Sequence, residues 1–258
     1  MRRRQFVLGL ASGAGLATCP TCATLLAAET GHGATPHWTY EGAAGPANWA
    51  KMSPRFAACS GQRQSPIDLT SSMSAAVASL DFAYGPSPLE IVNNGHTIQV
   101  NYASGSILTV GGVRHALVQF HFHHPSEHSI DGQKSPMELH LVHRDEKDQL
   151  AVIGVMMRAG ASHDAIGRLW AHMPMFAGPP KRVNDAQVNA AELLPAGRGS
   201  YQYFGSLTTP PCAEGVHWIV LKDPITASVE QIQKFAAAFP NNARPVQPIN
   251  RRFLLRSQ

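Results

Sequence analysis

Residues 119 to 123 read Gln-Phe-His-Phe-His, a strict alternation of polar and aromatic side chains. In a β-strand successive side chains point to opposite faces, so Gln119, His121 and His123 share one face with neighbours about 6.6 Å apart. Phe120 and Phe122 then enter apolar packing on the other. A second run, Glu138-Leu139-His140-Leu141-Val142-His143, sorts by the same rule into Glu138, His140 and Val142 on one side and Leu139, Leu141 and His143 on the other. Placed as antiparallel neighbours at a cross-strand spacing of about 5 Å, the two runs bring His140 to His121 and His123. Three imidazoles then converge.

The surrounding sequence supports a sheet. Runs rich in β-branched and aromatic residues at 89–92, 97–102, 107–110, 116–123, 138–143 and 150–157 are bounded by Asn94-Gly95, Ser104-Gly105, Gly111-Gly112 and Asp131-Gly132, which predicts strands joined by hairpins. Helical patterning is confined to stretches such as 162–172 and 228–239. Residues 29 to 65, rich in Gly, Pro, Ala and Asn, read as an irregular arm packed down by Trp38, Tyr40, Trp49 and Phe56. The expectation is a mainly β fold, α+β by strict count. It is one domain over residues 29–258, with a large, mostly antiparallel twisted β-sheet and a few peripheral short helices.

Three arginines at positions 2 to 4, an apolar stretch from Phe6 and a small-residue run ending near Ala28 read as an export signal over residues 1–28, twin-arginine-like in Arg3-Arg4-Gln5-Phe6-Val7-Leu8. The apolar stretch, broken by Gly, Ser, Cys and Pro, falls short of the roughly 20 residues a membrane anchor needs. The expected mature protein is therefore periplasmic or secreted and free of the membrane. The formal net charge of +4 is contributed partly by that segment and does not argue for a nucleic-acid partner. Cys19 and Cys22 leave with the signal. Cys59 and Cys212 remain, and in an oxidising compartment a disulfide is the simplest reading, two free buried thiols the alternative.

Three neutral imidazoles with one coordination position left open describe a catalytic zinc site, since structural zinc sites fill all four positions, usually with thiolates. Histidines that bind zinc hand their other ring nitrogen to a supporting acceptor, and Gln119 and Glu138 stand two residues before His121 and His140 on the same face. His128 and His143 read as buried, hydrogen-bonded structural histidines. His32, His37, His163 and His172 read as surface residues.

With these strings in hand the chain resembles the α-class carbonic anhydrases of the bacterial exported branch. The resemblance spans the mature chain through His37 to Gly42, Arg63 to Ile67, Asn93 to His96, Gln119 to His128, Glu138 to His143, Ser206 to Pro211 and Arg244 to Pro248. It implies a sheet of about ten strands with zinc held by His121, His123 and His140 at the base of a conical cleft. It implies reversible hydration of carbon dioxide to bicarbonate and a proton by zinc-bound hydroxide. Thr208 would orient that hydroxide by donating to Glu127, and Thr209 would help place bicarbonate. Val142, Val152, Leu207, Val216 and Trp218 would line an apolar wall for carbon dioxide. His96 would shuttle protons across waters ordered by Tyr40 and Asn94, and Asn242 would join Gln119 and Glu138 in supporting the ligands. The resemblance also pairs Cys59 with Cys212, and a homodimer is compatible with such a chain. Two positions depart from the pattern of relatives: His124-Pro125 follows the second ligand, with the His124 side chain expected to face away from the metal, and Ala243 stands where an aromatic is usual.

Two other readings compete. His121-x-His123-x₃-Glu127 fits the ligand run of a cupin-type iron or manganese protein, although that leaves the other matching strings unexplained. A non-catalytic, zinc-buffering relative is the second, and such relatives usually lose a ligand that this chain keeps.

Overall fold

The computed structural model describes residues 36–258; the expected signal segment lies outside them. Thirteen strands form one sheet, running in space Met73–Ala75, Leu255–Ser257, Ser200–Ser206, Glu214–Leu221, Leu150–Ala159, Met137–Arg144, Val113–His123, Ile98–Asn101, Pro86–Asn93 and Lys181–Asn189, with Leu80–Ala83, Ile107–Val110 and Ile225–Ala227 attached off this path. The six strands expected between residues 80 and 160 are all present. The sheet exceeds the expected ten strands and is mixed: Leu150–Ala159 runs parallel to both Glu214–Leu221 and Ile225–Ala227, and Met73–Ala75 runs parallel to Leu255–Ser257. The remaining pairings in this sheet are antiparallel.

The central pair follows the alternation of the sequence. Val113–His123 lies antiparallel to Met137–Arg144 with His121 opposite His140 and Phe122 opposite Leu139. Phe120, Phe122, Leu139 and Leu141 are fully buried in the larger core on the back of the sheet, each burial stabilising the fold by about 1.5–3 kcal/mol. Helices Asp164–Ala171 and Val229–Ala238 cover that face, with the Trp170 ring 4.8 Å from Phe122. The second helix starts because Ser228 and Gln231 cap each other reciprocally. Gln231 also accepts from His163 N and donates to His163 O, tying the two helices together. A smaller apolar cluster, including Val152, Val216, Trp218 and Tyr203, lies apart from that core. The arm packs Trp38, Tyr40, Trp49 and Phe56 around the Cys59–Cys212 disulfide, whose Cα atoms are 4.9 Å apart.

His143 has the buried structural role expected of it. Its Nδ1 donates to Ala151 O at 3.2 Å and its Nε2 accepts from Tyr84 Oη at 2.5 Å. Burial, the largest influence, and repulsion from His115 lower its pKa to about 3. An unfolded histidine titrates near 6.5, so between roughly pH 6.5 and 3 the unfolded chain binds a proton that the fold refuses. The stability this imidazole contributes is complete above pH 6.5 and declines as pH falls through that window. The H143Q variant is expected to show a pH-dependence of unfolding free energy shallower by about one proton, roughly 1.4 kcal/mol per pH unit, in denaturant titrations between pH 4 and 6. Parallel curves for the two proteins would contradict this.

Candidate metal centre

His121, His123 and His140 each present one nitrogen to a common point, all within 4.8 Å of one another. Their ring centroids are separated by 5.0, 5.3 and 4.6 Å. The opposite nitrogen of each ring meets an oxygen: His121 Nδ1 donates to Gln119 Oε1 at 2.8 Å, His123 Nδ1 to Asn242 O at 2.8 Å, and His140 Nε2 to Glu138 Oε1 at 2.9 Å. An imidazole that donates on one side offers a lone pair on the other. The three inward nitrogens are therefore three lone pairs facing one another, an arrangement that a cation resolves. His123 Nε2 is buried with no hydrogen-bond partner, as a ligand atom would be without its ion. The donor set of three neutral nitrogens, each with a supporting acceptor, fits zinc.

The electrostatics disfavour protonation of the His121 and His123 rings. Burial, then repulsion from His123 and His140, holds the His121 imidazole well below the usual histidine range. Burial likewise lowers His123, with Glu127 acting in the opposite direction. Burial works to raise the Glu138 carboxyl, but attraction to His128 and His140 and the hydrogen bonds they donate outweigh it and hold it well below the carboxylate range. Glu138 also accepts from the main-chain N–H groups of Glu127 at 2.9 Å and His128 at 2.8 Å. Such a packed carboxylate leaves no room beside it: a Cβ on Gly154, which lies opposite His140, would come within 3.0 Å of Glu138 Oε1. His128 fills the structural role expected of it, bridging Glu138 and the Tyr203 hydroxyl.

A model of the eukaryotic-type carbonic anhydrase family matches residues 44–258. The chain belongs to the α-carbonic anhydrase family. A carbonic anhydrase of Nostoc sp. is 45 % identical over 231 residues, 86 % of each chain. One from Neisseria gonorrhoeae is 44 % identical over 87 % of this chain and 89 % of that one. The α-carbonic anhydrase of Thermovibrio ammonificans, solved with the inhibitor sulfanilamide, superimposes with a TM-score of 0.83 at 41 % identity, covering 86 % of this chain and all of that one.

Other residues expected in an α-carbonic anhydrase site sort less evenly. Val142, Val152, Leu207, Val216 and Trp218 all fall in the smaller apolar cluster, and the Trp218 ring lies 4.8 Å from His140. Glu127 is fully buried; its Oε1 accepts from Arg244 N at 2.8 Å, while its Oε2 lies 3.7 Å from His123 Nε2 and 3.9 Å from His140 Nδ1. That Oε2 has no hydrogen-bond partner, so the expected donation from Thr208 is not among its bonds. Thr208 is buried and Thr209 half-buried, on the loop that follows Ser200–Ser206. His124 turns aside, its Nδ1 donating to Pro240 O. Ala243 is buried where the family pattern has an aromatic.

His96 stacks on Trp38 with ring centroids 3.6 Å apart and planes inclined by 6°. Burial, then repulsion from His37, lowers its pKa to about 4. Tyr40 sits edge-on to the same imidazole. Asn94 is exposed, and its Oδ1 accepts from the main-chain nitrogens of His96 and Thr97, so its observed work is to shape the turn that presents His96. Asn242 does more than support a ligand: its side chain donates to His96 O and Phe122 O and accepts from His124 N. It ties the His96 turn to the end of the ligand strand. The family resemblance pointed to Asn242 as a support of the ligands, but the spacing of the sequence could not show that its main-chain carbonyl is the atom His123 leans on.

Proposed function

We propose that this chain is a zinc-dependent carbonic anhydrase of the cell exterior or periplasm, with His121, His123 and His140 holding the ion. The observation that carries this reading is the set of three inward lone pairs, each fixed by an acceptor on the far side of its ring. Zinc bound there supplies Lewis acidity that turns water into a nucleophile near neutral pH, and neutral ligands preserve its full charge.

The chain's own residues then have distinct tasks. Thr208 Oγ1 orients the attacking water, with Glu127 Oε2, buried and free to accept, as the acceptor for its proton. The cluster of Val142, Val152, Leu207, Val216 and Trp218 receives carbon dioxide, a small apolar molecule that gains from leaving water, and Thr209 helps place the bicarbonate formed. His96 carries the product proton outward, along waters ordered by Tyr40 and Asn94. On the Trp38 stack its ring is neutral at pH 7 and can only accept. Moving off the stack into water returns its pKa toward about 6.5, where it can both take and release a proton. The disulfide supports an oxidising compartment, and among the described residues no helix is long and apolar enough to cross a membrane. Export by a twin-arginine-like signal over residues 1–28 agrees with both.

A stopped-flow hydration assay tests the activity: the zinc-loaded protein accelerates hydration, a chelator abolishes the acceleration and one equivalent of zinc restores it. No acceleration by the zinc-loaded protein would sink the reading. Substitution of His96 by alanine tests the shuttle separately. An acid of pKa about 7 releasing directly to water is limited to roughly 10³ per second, so kcat should fall toward that ceiling in weak buffer, with kcat/KM unchanged and kcat restored by added imidazole. An unchanged kcat in weak buffer would remove His96 from the proton path.

A further inference from the structure

Arg244 buries a guanidinium among neutral oxygens. It is 2 % exposed, and donates from Nη1 to Gln64 Oε1 at 2.9 Å and Ser65 O at 2.8 Å, and from Nη2 to Cys59 O at 3.0 Å. Its carbon end lies 5.5 Å from the Trp49 ring centroid. Among the described residues it forms no ion pair. Burial, opposed by the negative charge of Glu127, lowers it to about 10, so it stays charged at neutral pH. A charge buried without a contacting counter-ion is expensive, and an apolar residue of similar volume often serves stability as well or better. Stability alone does not account for it.

Its partners belong to the segments that frame the proposed Thr208–Glu127 pair. The Arg244 main-chain N–H donates to Glu127 Oε1 at 2.8 Å. Gln64, which accepts from the guanidinium, donates to Cys212 O at 3.2 Å. Ser65 and Ser206 exchange bonds, Ser65 N to Ser206 Oγ at 2.9 Å and Ser206 N to Ser65 Oγ at 3.1 Å. Ser206 and Cys212 bracket the loop of Thr208 and Thr209, and Cys212 N closes it onto Thr209 O at 2.8 Å. One residue thus grips the acceptor carboxylate with its backbone and the frame of the donor loop with its side chain.

We infer that Arg244 is a positioning residue for the reaction, fixing the Thr208 loop relative to Glu127 through Gln64, Ser65 and Cys59. The inference rests on the proposed roles of Thr208 and Glu127. Lysine in its place keeps the charge but loses the planar fork that reaches three acceptors at once. In R244K the hydration kcat/KM is expected to fall about 10- to 100-fold, the range typical when a supporting partner is lost. Zinc affinity should change less than about threefold, because the side-chain partners of the ligands, Gln119 and Glu138, are untouched. Backbone hydrogen exchange across residues 207–212 of the metal-free protein should quicken.

The deciding measurement is the rate of wild type, R244K, E127Q and the double variant, each zinc-loaded. If Arg244 acts through Glu127, the double variant is no slower than E127Q alone within about threefold. Independent multiplication of the two losses, or a wild-type rate in R244K alongside a slow E127Q, overturns the inference and leaves the Glu127 reading standing. A wild-type rate in E127Q overturns that reading and the inference with it. Should R244K fail to fold, Q64M removes one arm of the same clamp. A smaller loss absent from the E127Q background is expected, and no loss would overturn the inference.

Discussion

Replacing His140 by alanine is expected to abolish stoichiometric zinc binding and to lower carbon dioxide hydration by about 10⁴-fold or more, the largest effect of any single substitution here. The size follows from what is lost: without the metal, water at neutral pH returns from a pKa near 7 to one near 15.7. Q119L should behave differently. Its loss leaves all three ligands present and only frees the His121 ring, so zinc affinity should weaken by about 10- to 100-fold while the saturated protein keeps most of its rate. Elemental analysis and stopped-flow assay of both variants separate the two classes of residue. Protein purified without added metal that carries stoichiometric iron or manganese and no zinc would favour the cupin-type alternative. Full zinc with no hydration would favour the buffering one.

The second large effect concerns stability. The Cys59–Cys212 bond closes a separation of 153 residues, which in the chain-entropy model is worth about 5 kcal/mol. For a domain of this size each kcal/mol shifts Tm by roughly 2–4 °C, so C59S/C212S should melt about 10–20 °C below wild type by calorimetry. A shift of less than a few degrees would show that the reduced chain already holds this geometry. Cys212 ends the Thr208 loop, and Cys59 sits on the 3₁₀ segment Pro54–Ser60 of the arm. The reduced protein should therefore lose hydration rate at temperatures below its melting transition.

The parts of the fold legible in the sequence were those governed by neighbours along the chain. Alternation in Gln119 to His123 and Glu138 to His143 fixed which side chains share a face, and Asn94-Gly95 and Gly111-Gly112 marked true hairpins. Ser104-Gly105, by contrast, links Ile98–Asn101 to Ile107–Val110, which do not pair, and Asp131-Gly132 closes a separate short ribbon. Legibility faded where partners are remote. Glu214–Leu221 contains an unbroken apolar run from Trp218 to Leu221, which carries no alternation because both faces of the strand are covered, and its parallel pairing with Leu150–Ala159 joins segments more than fifty residues apart. Lys181–Asn189 is mostly polar, lies at the sheet edge and breaks register between Arg182 and Gln187, so its core contacts, Val183, Ala186 and Val188, do not fall on one alternating face and leave no strand pattern. At the site, the ligands and the side chains of Gln119 and Glu138 could be read from spacing. The carbonyl of Asn242 and the three-armed grip of Arg244 depend on chain crossings that no local pattern records.

Zinc K-edge X-ray absorption on the stoichiometrically loaded protein tests the centre most directly. Three imidazole nitrogens at about 2.0–2.1 Å and one further light atom, with no sulfur near 2.3 Å, are expected. Fewer than three imidazoles, or a thiolate in the shell, would contradict a centre built from His121, His123 and His140.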